Sequence, residues 1–195
     1  MRVTRAQAEE NRRKVIEVAS RLFRERGFDG VGLNEVMAAA GLTHGAFYKQ
    51  FASKDALIAE ACEYALDQGA EHWKRTAGEA GDAAFGALVG RYLAPAHRDR
   101  PAQGCVFAAL AADAARYGSE QLPKSFEAGM KAYVDVIAEA MAGAGTEAGK
   151  DAALVAVSTM VGALLLARTV DDDAYSRRIL DAARASLLGD AAGRD

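Results

Sequence analysis

The chain is predicted to be all-α, with about nine helices, on three observations. Alanine is abundant and β-branched alternation is scarce, which favours helix over strand. Apolar residues return every three or four positions through most of the chain. Only three prolines interrupt 195 residues, and 51% of the residues are hydrophobic, enough to fill the core of one domain or two small ones.

Residues 1–8 are polar and read as a frayed start. Residues 9–26 form the first helix. Val15, Ile16, Ala19, Leu22 and Phe23 share one face, while Arg12, Arg13, Lys14, Arg21 and Arg24 share the other. Gly27 stops this helix and Phe28 folds back onto it. Leu33, Val36, Met37 and Ala40 then give a short helix an apolar face, with Gly32 at its cap position. Gly41 stands where a left-handed, helix-ending residue is cheap. Thr43 is placed to cap a second short helix through its hydroxyl, and Phe47 with Phe51 supplies an i, i+4 apolar stripe. Thr43, His44, Gly45, Tyr48, Lys49 and Gln50 are left facing outward, a hydrogen-bonding surface thinned at Gly45. Two short helices on a tight turn form the helix-turn-helix arrangement, whose second helix enters the DNA major groove.

Ser53 caps a fourth helix, with Asp55 in its first turn and Leu57, Ile58, Ala61 and Ala65 inward. Lys54 stands at its start, where backbone N–H groups and an ammonium together suit a phosphate oxygen. This helix (54–73) runs toward Trp73 and connects a head, residues 1–53, to a helical body, residues 54–195. Within the body, 78–81 read as a break, 83–97 as a helix, 98–104 as a loop holding Pro101, 105–117 as a helix and 118–123 as a turn. Phe126, Met130, Tyr133, Val134, Ile137 and Met141 line one face of a long helix. A Gly/Ala-rich linker, 142–149, leads to 151–170, a helix apolar nearly all round. Residues 173–188 close the chain as an amphipathic helix with Ile179, Leu180, Ala183 and Leu187 inward.

The net charge of -3 argues against a generally basic nucleic-acid binder, but the charge is unevenly spread. Residues 1–54 hold ten Lys/Arg against six Asp/Glu, so a basic head sits on an acidic body and only the head is suited to a polyanion. Two cysteines, Cys62 and Cys105, are too few and too scattered for a disulfide framework or a zinc site, and no cofactor motif is present. There is no N-terminal apolar signal region, and the apolar run 154–167 is too short to span a bilayer, so a reducing cytoplasm is expected.

Residues 10–60 resemble the DNA-binding domain of TetR-family transcriptional regulators. The matching positions are Ala19, Leu22, Phe23, Gly27, Phe28, Val36, Met37, Ala40, Gly41, Leu42, Thr43, Gly45, Phe47, Tyr48, Phe51, Ser53, Lys54, Asp55 and Leu57. The resemblance implies a homodimer that binds a palindromic operator, acts as a repressor and is released by a small effector held in the body. By position it puts base reading on Asn34, His44, Gly45 and Gln50, and phosphate contacts on Thr43, Tyr48 and Lys54, with Lys49 beside them. The residue types agree, since Asn and Gln pair with adenine while Lys and Tyr tips reach phosphates. Gly32 and Leu33 depart from the family's frequent hydroxyl residues, and Gln50 from its frequent histidine.

For the effector, Trp73, Phe85, Tyr92, Phe107, Met130, Tyr133 and Met160 offer aromatic and thioether surface, which favours an apolar or aromatic small molecule. Cys105 should lie in the first turn of its helix, where the dipole lowers a thiol pKa, so an electrophilic effector is the sharper alternative to a buried core thiol. For dimerisation, the last two helices are the candidates, through Ala156, Gly162, Ala163, Ile179 and Leu187. The competing class of function is a small-molecule-binding protein or enzyme without DNA binding. Against an enzyme, no carboxylate pair lies near a histidine, and His72 and His97 are isolated.

Overall fold

The computed structural model describes residues 4–141 and 146–189. These residues form nine α-helices and no strand: α1 (Arg5–Arg26), α2 (Leu33–Ala39), α3 (Lys54–Ala80), α4 (Ala84–Tyr92), α5 (Pro95–Arg98), α6 (Val106–Arg116), α7 (Gln121–Ala140), α8 (Glu147–Thr169) and α9 (Asp173–Leu188). Three 3-10 turns, at His44–Lys49, Gly81–Ala83 and Pro101–Gln103, join them.

The head is built as its sequence pattern requires, with two changes. Helix α1 begins at Arg5, not Glu9, because the Thr4 hydroxyl accepts the Gln7 N–H at 3.2 Å and caps it. Gly27 ends α1 at φ 74, and the Phe28 ring returns to meet Phe23 edge-on at 5.8 Å. Gly41, at φ 73, turns the chain out of α2. The second change is the reading element itself, a six-residue 3-10 turn where two α-helical turns were expected. Gly45 lowers the helix propensity of this segment, and Phe47 and Phe51 must both reach the core. The two rings do so, stacked at 5.5 Å and almost wholly buried.

The connector is longer than expected. Helix α3 is capped by Ser53, whose Oγ accepts the Ala56 N–H at 3.1 Å, and it continues through Gly78 to end at Gly81. It crosses α7 closely where Gly129 lies against Leu66. A Cβ on Gly129 would stand 2.7 Å from Leu66 Cδ2 and 3.2 Å from Leu66 Cβ. Gly129→Ala is therefore expected to destabilise the body by about 1–3 kcal/mol through overpacking, against less than about 1 kcal/mol gained in helix propensity. A melting temperature that rises instead would mean this crossing is loose.

Elsewhere proline and capping move the boundaries. The helix expected over 83–97 is split, because Pro95 pushes Ala94 into extended backbone (ψ 144) and starts α5 afresh. Pro123 falls inside the first turn of α7, where a missing N–H costs nothing, so that helix starts at Gln121 rather than after the proline. The Thr146 hydroxyl accepts the Gly149 N–H at 3.0 Å and begins α8 at Glu147, within the stretch expected to be linker. Residues 142–145 lie outside the described residues.

Helix α8 has 23 residues and is long and apolar enough by length and composition to cross a membrane, contrary to the shorter run read from the sequence. One side of it belongs to the core. Ala153, Ala156, Val157, Met160, Ala163, Leu164 and Ala167 are buried, and α8 packs against α7 and α9. Its other side leaves Leu154, Val155, Leu165 and Leu166 between 43% and 64% exposed.

Candidate nucleic-acid interface and inner cavity

The turn after α2 presents a polar edge on an apolar anchor. Phe47 is fully buried beneath it, whereas Thr43, His44, Gly45, Tyr48 and Lys49 are exposed. Asn34, on α2, is exposed too. Thr43 makes no capping hydrogen bond, so its hydroxyl is left for a ligand rather than committed to the turn as expected. Nothing lies within 4 Å of a Cβ built on Gly45, which leaves that side of the turn open to a close approach. The Tyr48 ring, 66% exposed, rests edge-on against Phe47 at 5.1 Å and His44 at 5.9 Å.

Two expected contact residues are placed otherwise. The Lys54 ammonium donates to the Phe28 carbonyl at 2.8 Å and is half-buried, which ties α3 to the loop after α1 instead of offering the charge to a phosphate. The Gln50 amide oxygen is turned inward and buried with no hydrogen-bond partner. Reading a base would require that side chain to swing out, and the orphaned oxygen favours the swing. Arg12 is structural: its guanidinium grips Glu60 with both terminal nitrogens and covers the Phe51 ring at 4.6 Å. Arg13 and Lys14, in the same basic run, remain exposed.

Behind the head is a cavity of about 550 Å³ that sequence reading did not foresee as a whole. Its wall combines α1 residues Ser20, Arg21 and Arg24 with Trp73 of α3, Tyr92 of α4, Cys105 and Tyr133 of α7. Trp73 and Tyr133 rings lie 4.5 Å apart, and Tyr92 meets Trp73 edge-on at 5.5 Å. Gly69 admits the Tyr133 hydroxyl, which would lie 1.7 Å from any Cβ there. Of the expected pocket residues, Trp73, Tyr92, Cys105 and Tyr133 line the cavity. Phe107 and Met160 are buried in the core, and Phe85 and Met130 pack against it, so these four lie off the cavity wall. The sequence pattern cannot separate the groups, because all eight recur on apolar helix faces.

The cavity wall also corrects the reading of its titratable groups. His97 is not isolated: Nδ1–H donates to the Tyr92 carbonyl at 2.7 Å, and Nε2 accepts the Cys105 N–H at 3.0 Å. Accepting at Nε2 demands the neutral ring, and burial lowers its pKa against the opposing pull of the Tyr92 carbonyl. Cys105 stands at the N-cap position of α6, yet burial pushes its thiol up, outweighing the nearby Tyr92 hydroxyl and the N–H groups of Ala108 and Phe107 that favour thiolate. The dipole argument for a reactive thiolate therefore loses to desolvation. Cys62 is likewise raised, to about 12.

The comparisons with known proteins meet this geometry at the head. Residues 15–61 match the family model described as bacterial regulatory proteins, tetR family. Over 55 residues the chain is 40% identical to the uncharacterised HTH-type transcriptional regulator YerO of Bacillus subtilis, and over 62 residues 40% identical to the HTH-type transcriptional regulator AcrR of Shigella flexneri. These matches cover 28% and 32% of this chain but only 19% and 29% of those proteins. Over 92% of its length the chain has the fold of the reduced form of NemR from E. coli, at TM-score 0.78 and 20% identity, covering 96% of that chain. Residues 15–61 therefore carry the TetR-family pattern, and the chain shares the fold of TetR-like structures. Both of those sequence relatives are HTH-type transcriptional regulators.

The helices expected to dimerise do present an apolar face, but not through all the residues named for it. Ala156 and Ala163 are buried in the protomer's own core. Ile179 and Leu187 are half-buried against that core. The open side of α8 is made instead by Leu154, Val155, Gly162, Leu165 and Leu166, and nothing lies within 4 Å of a Cβ on Gly162.

The neutral His97 gives the fold a pH dependence whose sign follows from its lowered pKa. The unfolded ring titrates near its ordinary value, about 6.5, and the folded ring below it. The stabilisation is complete above the ordinary value and is lost as pH falls below it toward the folded pKa. The melting temperature should therefore fall between about pH 7 and pH 5, and His97→Gln should flatten part of that fall. An unchanged slope in the variant would assign the titration elsewhere.

Proposed function

We propose that the chain is a TetR-family regulator that acts as a homodimeric repressor in the cytoplasm, binding a palindromic operator through two copies of the turn His44–Lys49. The observation that carries the reading is the division of that turn into a buried aromatic anchor, Phe47, and an exposed polar edge of Thr43, His44, Gly45, Tyr48 and Lys49. A rigid anchor fixes register, Tyr48 and Lys49 suit phosphates, and Asn34 and His44 suit base edges. The apolar side of α8 supports pairing of two chains, since a monomer has no reason to hold Leu154, Val155, Leu165 and Leu166 in water together. In this reading residues 1–53 are the DNA-binding head, residues 54–195 the effector and dimer body, and the cavity behind α1 holds a small molecule that releases the operator.

A gel shift with the DNA flanking its own gene, at two salt concentrations, tests the proposal. Specific binding that weakens steeply with salt is expected, because each neutralised phosphate contributes a slope of about -0.9 in log K against log salt. Absence of specific binding at low salt would overturn it.

A further inference from the structure

The inner cavity has a chemistry of its own. Four arginines, Arg21, Arg24, Arg91 and Arg100, border it, against a single carboxylate, Glu17. Arg24 is the one set deepest. It is half-buried, and its Nε donates to the Ala102 carbonyl at 3.0 Å. No carboxylate among the described residues pairs with it, and the titratable groups that act on it are Tyr133, Cys105, Tyr64 and Cys62. A partly buried cation with no anion is costly, and a planar guanidinium matches a carboxylate in two-pronged fashion. The second observation is independent of charge. Tyr92 is only 4% exposed, and its hydroxyl has no hydrogen-bond partner. The Cys105 thiol lies close to it but is too weak an acceptor to satisfy it. A buried donor left unmade beside a cavity points to a ligand acceptor. Trp73, Tyr92 and Tyr133 present rings between these two polar points.

We infer that the cavity binds a small aromatic monocarboxylate, its carboxylate paired with Arg24, its ring against Trp73 and Tyr133, and an acceptor taking the Tyr92 hydroxyl. One buried cation balances one negative charge, whereas a dianion would leave a charge uncompensated in that wall. The anchor lies on α1, the first helix of the head, while the rings lie on the body, so the ligand touches both. The inference rests on reading the cavity as the effector site, and it replaces the apolar effector expected from sequence with an anionic one.

Trp73 is the only tryptophan of the chain and lines the cavity, so its fluorescence reports occupancy without any DNA. The full chain is titrated with benzoate, cinnamate and indole-3-acetate, and with the neutral amide of each. At least one acid is expected to change Trp73 emission saturably, at least about tenfold more tightly than its amide, a difference of about 1.4 kcal/mol. Arg24→Gln should erase the preference for acid while leaving amide binding unchanged, and Arg24→Lys should retain part of it. Tyr92→Phe should weaken the acid yet raise the melting temperature of the empty protein, since it removes an unsatisfied buried hydroxyl; a merely structural tyrosine would lower it. Equal binding of acids and amides, equal loss of both in Arg24→Gln, or no response to any of the three acids would overturn the inference. Acid binding in a protein that fails the gel shift would instead leave this site standing and remove the regulator reading.

Discussion

Gly162→Leu is expected to give a folded monomer that has lost high-affinity operator binding. The side of α8 at Gly162 is open within the protomer, so the new side chain meets nothing of its own chain. Leucine also restores helix propensity, worth up to about 1 kcal/mol over glycine in a helix interior. The isolated chain should therefore be at least as stable as before. In a symmetric pair the substitution occurs twice at the place where two α8 helices approach. Overpacking there costs about 1–3 kcal/mol at each copy, so dimer dissociation should rise roughly 30-fold to more than 10⁴-fold. Sedimentation at micromolar concentration checks the mass, and the gel shift checks the consequence. A dimer that persists with only a lower melting temperature would place Gly162 away from the interface and the pairing surface elsewhere.

That residue also shows where sequence reading reaches its limit. Helix α8 is apolar nearly all round, so no polar stripe orients it. Small residues suggested a seam through Ala156 and Ala163, but the packing of α8 on α7 and α9 took both into the core and left Val155, Leu165 and Leu166 outside. The head was legible because its determinants are local. Gly27, Gly41, Ser53 and the Phe47–Phe51 spacing each act within a few residues, and the structure places all of them as the pattern requires. Lys54 and Gln50 were less legible for the opposite reason: their partner or burial in the free protein depends on the Phe28 loop and on packing that no short window contains. The cavity was out of reach for the same cause. Arg24, Trp73, Tyr92 and Tyr133 come from four helices, and one of those helices had been assigned wholly to the head. Pro95 and Pro123, by contrast, carried readable signals. The first breaks a helix and the second opens one, according to whether an N–H is needed at that position.

Replacing Tyr48 and Lys49 together by alanine is expected to weaken operator binding by about 10³-fold while leaving the fold intact. Both side chains are exposed and neither enters the head core, so stability should change by no more than about 0.5 kcal/mol. Each contact to phosphate contributes about 1 kcal/mol net, and a dimer loses two from each head, about 4 kcal/mol in all. The loss should be uniform across operator sequences, because phosphates carry no base identity, and each lysine removed should reduce the salt slope by about 1. Tyr48→Phe separates the two roles open to that ring. It keeps the edge contacts with Phe47 and His44 at 5.1 and 5.9 Å but removes the hydroxyl. If the hydroxyl reaches a phosphate, the phenylalanine variant loses most of what alanine loses at that position. If the ring only shields the turn, Tyr48→Phe binds like the parent while Tyr48→Ala melts lower, and the phosphate assignment of Tyr48 is withdrawn. His44→Ala offers the contrasting signature: a loss that depends on which base pair is changed in the operator, with the salt slope untouched.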